Sequence, residues 1–277
     1  MKVVTFEEIM LRLKAPENLR IMQSDGFEAS YGGAEANVAV SLAMFEGQNA
    51  FISKVPNNPV GMFALSEVRH YGVNTEYMLR GGNRLGIYFF EKGSDIRSTN
   101  VVYDHAYSAF SQSDVEDYKW EDILEPGDIF YFSGVTPAAS DSVCQSLKRA
   151  LTGIDQIDTY KEGMLEITCQ FPNVKSVTSV LRNMHTVEED WMGIYYVDGK
   201  FYQSPIHRVH SLEAVGAGDA YGAAFVRGLI NGLDPQKIVD FAISASVLKL
   251  MIQHDFNVVT QEDVFKIMNS KNTNLSR

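Results

Sequence analysis

The residues best suited to chemistry lie in Glu213-Ala214-Val215-Gly216-Ala217-Gly218-Asp219-Ala220-Tyr221. Strand-like residues precede this stretch, and Tyr221, Phe225, Gly228 and Leu229 follow it at helical spacing. A glycine-rich turn is thereby set at a helix N-terminus, where unpaired backbone N–H groups and the helix dipole attract anions. Small residues at Gly216, Ala217 and Gly218 let the backbone approach a phosphate closely. The Asp219 carboxylate, beside a bound phosphate, could accept a proton from an attacking hydroxyl. Two plainer readings compete. Asp219 could serve only as a helix cap. Alternatively, Gly216, Gly218 and Gly222 could form a dinucleotide loop, which needs a second strand ending in an acid about twenty residues later. Pro235 to Gln253 reads as another helix, which counts against that.

A second glycine pair, in Tyr31-Gly32-Gly33-Ala34-Glu35-Ala36-Asn37, opens the first long helix. By itself it is an ordinary loop-to-helix junction.

The elements that must position these loops alternate along the chain. Val3 to Leu13 reads as a strand and Ala34 to Phe45 as a helix with Val38, Leu42 and Phe45 on one face. Asn49 to Val55 is strand-like, and Gly61 to Tyr71 is a helix stopped by Gly72. Asp128 to Ser133 is a short strand behind a Pro-Gly turn, and a helix follows from Pro137 to about Leu151. This order predicts an α/β protein with a mostly parallel sheet. Residues 84–91 and 100–107 break the alternation as two strands of an antiparallel ribbon, a small sheet of their own. Gly193 to Val197 and Lys200 to Ser204 form a hairpin around Asp198-Gly199.

Composition bounds the rest. With 277 residues, 45% of them hydrophobic, the chain can bury a substantial core. The net charge of −11 argues against nucleic acid as a partner, since a binder of that polyanion carries a basic face. No apolar run approaches bilayer length, and the acidic start Thr5-Phe6-Glu7-Glu8 is unlike a signal peptide, so a cytoplasmic, membrane-free protein is expected. Cys144 and Cys169 show no metal-ligand spacing and read as small buried hydrophobes.

Taken together, the two glycine loops resemble the two signature regions of the ribokinase or PfkB carbohydrate kinase family. The stretches TFEEIMLRL, YGGAEANVAVSLA, IYFFEKG, VVYDHAYSAF, FSGVTPAAS, FYQSP and HDFNVVT resemble its 2-keto-3-deoxygluconate kinase branch. The resemblance implies one ribokinase-like domain over residues 1–277, a three-layer α/β/α sandwich with a small β lid from about 11–31 and 84–110. It implies ATP-dependent phosphorylation of the terminal hydroxyl of 2-keto-3-deoxygluconate or a similar sugar acid. Magnesium would be held largely through ATP and water rather than an all-protein cage. Gly216, Ala217 and Gly218 would form the anion hole and Asp219 would be the base. Gly32, Gly33 and Asn37 would line the sugar site, with Tyr88, Tyr103 and His105 reaching from the lid. A homo-oligomer paired through the lid is also implied. Fructose, ribose or a nucleoside are alternative substrates, and a catalytically silent sugar-binding protein on the same fold is a third reading.

The chain departs from the family pattern at four places. Glu7 stands where glycine is usual, Glu213 replaces an aspartate, and His105 replaces a sugar-binding arginine. After about residue 151, the sequence runs directly into Thr152-Gly153-Ile154-Asp155, where relatives carry two more strands and a helix. A unit of that kind takes about 40–60 residues. Deleting two central strands would expose sheet edges and apolar helix faces. Omission of residues from a longer chain therefore accounts for the gap more simply than a shortened gene product does.

Overall fold

A computed structural model describes residues 1–94, 97–113, 117–131, 157–183 and 189–269. The chain divides into two compact units. The first is Met1–Ser133 with His254–Phe256, and the second is Gly134–Gln253 with Asn257–Arg277.

In the first unit, β1 (Val3–Phe6) lies between β4 (Asn49–Ile52) and β9 (Ile129–Tyr131), parallel to both. All four residues of β4 are buried, the pattern of a parallel strand covered on both faces. Helix α1 (Ala34–Met44) is buried from Glu35 through Leu42, so it has no polar face for a periodicity argument to find. Helix α2 (Pro59–His70) starts two residues before its expected beginning. Asn58 caps it through the Gly61 N–H (3.0 Å), and Pro59 occupies the first turn, where its missing N–H costs nothing.

A separate four-stranded sheet has the order β3 (Glu28–Gly32), β2 (Met10–Lys14), β7 (Gly86–Glu91), β8 (Asn100–Asp104). Its pairings are antiparallel except β2 with β7. This is the expected lid, with Tyr88 directly opposite Tyr103. The single strand expected from Val3 to Leu13 is in fact two strands in two sheets. It breaks at Glu7 and Glu8, whose carboxylates meet other elements: Glu7 Oε2 accepts the Glu35 N–H (3.0 Å) at the start of α1. Short strands β5 (Lys54–Val55) and β6 (Leu79–Arg80) pair in parallel, and α3 (Trp120–Ile123) is a single turn.

The second unit contains α4 (Ile157–Gln170) and an antiparallel sheet of β10 (Ser176–Asn183), β11 (Glu189–Val197) and β12 (Lys200–Gln203), with β13 (His207–Val209) also on β11. The expected hairpin is present. Asp198 (φ 49°) and Gly199 (φ 76°) both have the left-handed backbone that a two-residue turn requires. Tyr160, Met164, Leu181, Met192 and Ile194 form the core between α4 and this sheet. Cys169 is exposed, which corrects its expected burial. Helices α5 (Ala217–Ile230), α6 (Pro235–Lys249) and α7 (Gln261–Asn269) complete the unit. Among the described residues, no helix is long and apolar enough to cross a membrane. The helix expected after Pro137, Cys144 and the junction after Leu151 lie outside the described residues.

Candidate active site

The glycine loop belongs to the second unit. Gly216 is the N-cap of α5 with φ 79°, a backbone that side-chain-bearing residues rarely adopt. The Ala220 N–H donates to the Gly216 carbonyl (2.9 Å), closing the first helical turn. The Ala217 N–H turns back to the Ala214 carbonyl (3.3 Å). Gly218 and Asp219 follow in the first turn, where N–H groups have no acceptor within the helix. A Cβ added to Gly218 would meet nothing within 4 Å among the described residues, so their packing does not require glycine there. Asp219 is the one acidic residue of this first turn.

Two residues up the helix, Tyr221 fixes α5 in place. Thr178 donates its hydroxyl proton to the Ile194 carbonyl (2.9 Å), so the 2.7 Å contact with Tyr221 is a bond donated by the tyrosine. Burial pushes the Tyr221 hydroxyl pKa well up, keeping it a donor. Gly193 of β11 leaves room for this ring, since a Cβ there would lie 3.0 Å from Tyr221 and 2.8 Å from Val239. Helix α6 follows where the dinucleotide reading needed a strand.

The other predicted residues belong to the first unit. Gly32 and Gly33 are glycines for reasons internal to the protein. A Cβ would come within 2.2 Å of Asp255 Oδ2 at Gly32 and within 2.4 Å of the Glu8 carbonyl at Gly33. Asn37 is buried in the first turn of α1, its N–H donating to the Gly33 carbonyl (2.8 Å). Tyr88 is buried and donates its hydroxyl to Asp255 Oδ2 (2.6 Å). Burial first, and then the Asp255 carboxylate, drive its pKa far up. The other Asp255 oxygen accepts Arg12 Nη1 (2.7 Å), and the fully buried Arg12 guanidinium lies over the Phe90 ring at 4.0 Å. Tyr103 is exposed, its ring 5.8 Å from that of Tyr88 and 6.0 Å from His105.

His105 Nδ1 lies 3.1 Å from Glu8 Oε2. An ionised carboxylate only accepts, so Nδ1 carries the hydrogen. Arg84 braces the same turn, donating to Asp104 Oδ1 (3.0 Å), to the Asp104 carbonyl (2.8 Å) and to the Ala106 carbonyl (3.3 Å). The structure therefore gathers Gly32, Gly33, Tyr88, Tyr103 and His105 around Glu8 and Asp255. Sequence reasoning missed Arg12, Glu8 and Asp255. The signal for Arg12 was a charge set between Leu11 and Leu13, but Asp255 lies 243 residues away and no local pattern joins them. Among the described residues, no group of three or more His, Cys, Asp or Glu could hold a metal ion.

Comparison with known proteins follows the same lines. The model of the pfkB family carbohydrate kinases matches residues 1–164. A 2-dehydro-3-deoxygalactonokinase of Haloferax volcanii is 27% identical, the alignment covering all of this chain and 99% of that one. That alignment is 316 positions long and takes in all 277 residues, so at least 39 positions face gaps in this chain. The crystal structure of a 2-dehydro-3-deoxygluconokinase from Thermotoga maritima is 35% identical, with TM-score 0.88 over 98% of this chain and 100% of that one. A sugar kinase of Pyrococcus horikoshii in complex with ATP has TM-score 0.69 at 20% identity, over 96% of this chain and 99% of that one. The fold is ribokinase-like, with a mostly parallel sheet flanked by helices and a separate small lid sheet. The matched family model spans more than half of the chain, and the chain belongs to the pfkB family of carbohydrate kinases, enzymes that move a phosphoryl group to a sugar hydroxyl.

Proposed function

We propose that this protein transfers the γ-phosphoryl group of ATP to the terminal hydroxyl of 2-keto-3-deoxygluconate or a closely similar sugar acid. The observation that carries the reading is the open, glycine-lined first turn of α5 with a carboxylate in that same turn. Amides at Gly218 and the positive end of the helix dipole attract phosphate oxygens and stabilise charge developing on them. Asp219 accepts the proton of the attacking hydroxyl. The ATP-bound relative supports the nucleotide, and two relatives whose names specify keto-deoxy sugar acids support the substrate. Magnesium would arrive with the nucleotide, held by its phosphates and water, and would neutralise their charge.

On the sugar side, Gly32, Gly33, Asn37, Tyr88, Tyr103 and His105 would line the substrate. With its proton given to Asp255, the Tyr88 oxygen offers a sugar hydroxyl an acceptor. With Nδ1–H given to Glu8, His105 offers Nε2. The chain would work as one ribokinase-like domain in the cytoplasm. Pairing of copies through the lid is supported by a cross-strand row, Ala29, Leu13, Phe89 and Val102, on one face, with Val102 47% exposed.

The test is ATP consumption with a panel of sugars and sugar acids, run on wild type and Asp219→Asn. Wild type should turn over a keto-deoxy sugar acid fastest, and the variant should lose kcat by roughly a hundredfold or more while affinities change far less. A variant that loses stability but keeps turnover per folded molecule would make Asp219 a cap and the mechanism wrong. The gaps against the Haloferax relative favour a second reading, sugar binding without transfer. Binding of the sugar with no ATP consumption in the same assay would establish it.

A further inference from the structure

Lys249 is the last residue of α6 and is fully buried, yet phosphoryl transfer as described makes no use of it. Lysine seldom enters an interior, because its charged end is costly to desolvate and its long stem loses rotamer freedom. Its Nζ donates to the Ile252 carbonyl (3.3 Å). The same turn is closed by the Met251 N–H on the Leu248 carbonyl (3.1 Å) and the Ile252 N–H on the Lys249 carbonyl (3.0 Å). Carbonyls at a helix C-terminus carry partial negative charge, so this is a favourable place for a lysine amine.

Leu250, inside that turn, is the C-cap of α6 and is also fully buried. Its carbonyl is one of those a helix leaves without an internal partner. It accepts two N–H groups from one distant segment, those of Leu212 (2.8 Å) and Glu213 (3.3 Å). Gly216, the start of the glycine loop, is three residues beyond Glu213. The C-terminal turn of α6 is thus the mooring of the segment that delivers residues 216–219, and Lys249 braces that turn from within.

We propose that Lys249 is a positioning residue for the phosphate loop: it fixes the direction of the Leu250 carbonyl and, through Leu212 and Glu213, the entry into Gly216–Asp219. The proposal rests on the reading of that loop as the phosphate site.

Lys249→Met keeps the stem and removes the donor. In the full-length variant, kcat should fall by roughly tenfold or more, since small displacements of catalytic groups are costly. KM for the sugar acid should stay within about twofold. Hydrogen exchange read by mass spectrometry should show amides of residues 210–216 exchanging roughly tenfold faster or more, with β10 and β11 unchanged. Lys249→Gln, which retains an N–H donor on a shorter stem, should recover most of both properties. Unchanged loop exchange in Lys249→Met would overturn the proposal, as would equal acceleration across β10 and β11. If the methionine variant does not fold, the glutamine variant decides: retained loop protection supports the mooring, and lost protection refutes it. Asp219→Asn, run alongside, separates the two claims. Survival of its turnover would count against the phosphate reading, while loop exchange still judges Lys249.

Discussion

At position 218 the fold and the proposed chemistry ask for different things. A Cβ there meets no atom of the described residues within 4 Å, and alanine favours a helix over glycine by up to about 1 kcal/mol. Gly218→Ala should therefore melt at the same temperature as wild type or slightly higher. If phosphate oxygens rest against this turn, its kcat should nonetheless fall by roughly tenfold or more, because the added methyl holds them off the amides. Thermal melts and steady-state kinetics on one preparation check both halves, and a stabilised variant with normal turnover would remove phosphate from this loop. His105 leads to a prediction about donors. With Nδ1–H held by Glu8, a neutral ring has no hydrogen on Nε2 to give to a substrate carboxylate, whereas a guanidinium always offers several. His105→Arg should therefore bind the sugar acid more tightly. Calorimetry on the two proteins settles this, and equal affinities would mean that position 105 holds no carboxylate.

Elements were legible where local chemistry specifies them. The Asp198-Gly199 hairpin and the glycine turn before α5 each depend on two or three adjacent residues, whereas the start of α2 was placed two residues late, at Gly61, because the Asn58-Pro59 cap went unread. The break between β1 and β2 was not legible, because Glu7 and Glu8 fit a strand pattern and are diverted by partners at Glu35 and His105. The candidate site divided in the same way. Gly216 and Asp219 announce a helix N-terminus, whereas Tyr88 could be named as a candidate but its commitment to Asp255 could not be foreseen. Gly193, read from the sequence only as the start of a hairpin strand, positions the loop indirectly by leaving space for Tyr221. Gly193→Ala should cost about 1–3 kcal/mol, the usual penalty of overpacking. Urea titration of wild type and variant measures it, and an unchanged midpoint would show that the Tyr221 contact tolerates a shift.

For the whole molecule, the lid row of Leu13, Phe89 and Val102 predicts self-association. Light scattering after gel filtration should give a dimer or larger for wild type and a monomer for a Phe89→Lys, Val102→Lys double variant; a monomeric wild type would end that proposal. Intact mass spectrometry of the same sample compares the natural product with 31.0 kDa, and a greater mass would account for the gaps against the Haloferax relative. One feature of the first unit also orders events in time. Arg12 and Asp255, its buried ion pair, are 243 residues apart, because His254–Phe256 returns to a unit that is otherwise complete by Ser133. A ribosome adding about 5–20 residues per second makes the arginine roughly 10–50 seconds before the carboxylate that neutralises it. During that interval the nascent lid has the Arg12 charge and the Tyr88 hydroxyl but no acceptor from Asp255, so the first unit cannot finish folding as it is made. A chain that stops short of residue 255 never acquires that acceptor, which leaves prematurely terminated products open to chaperones and proteases.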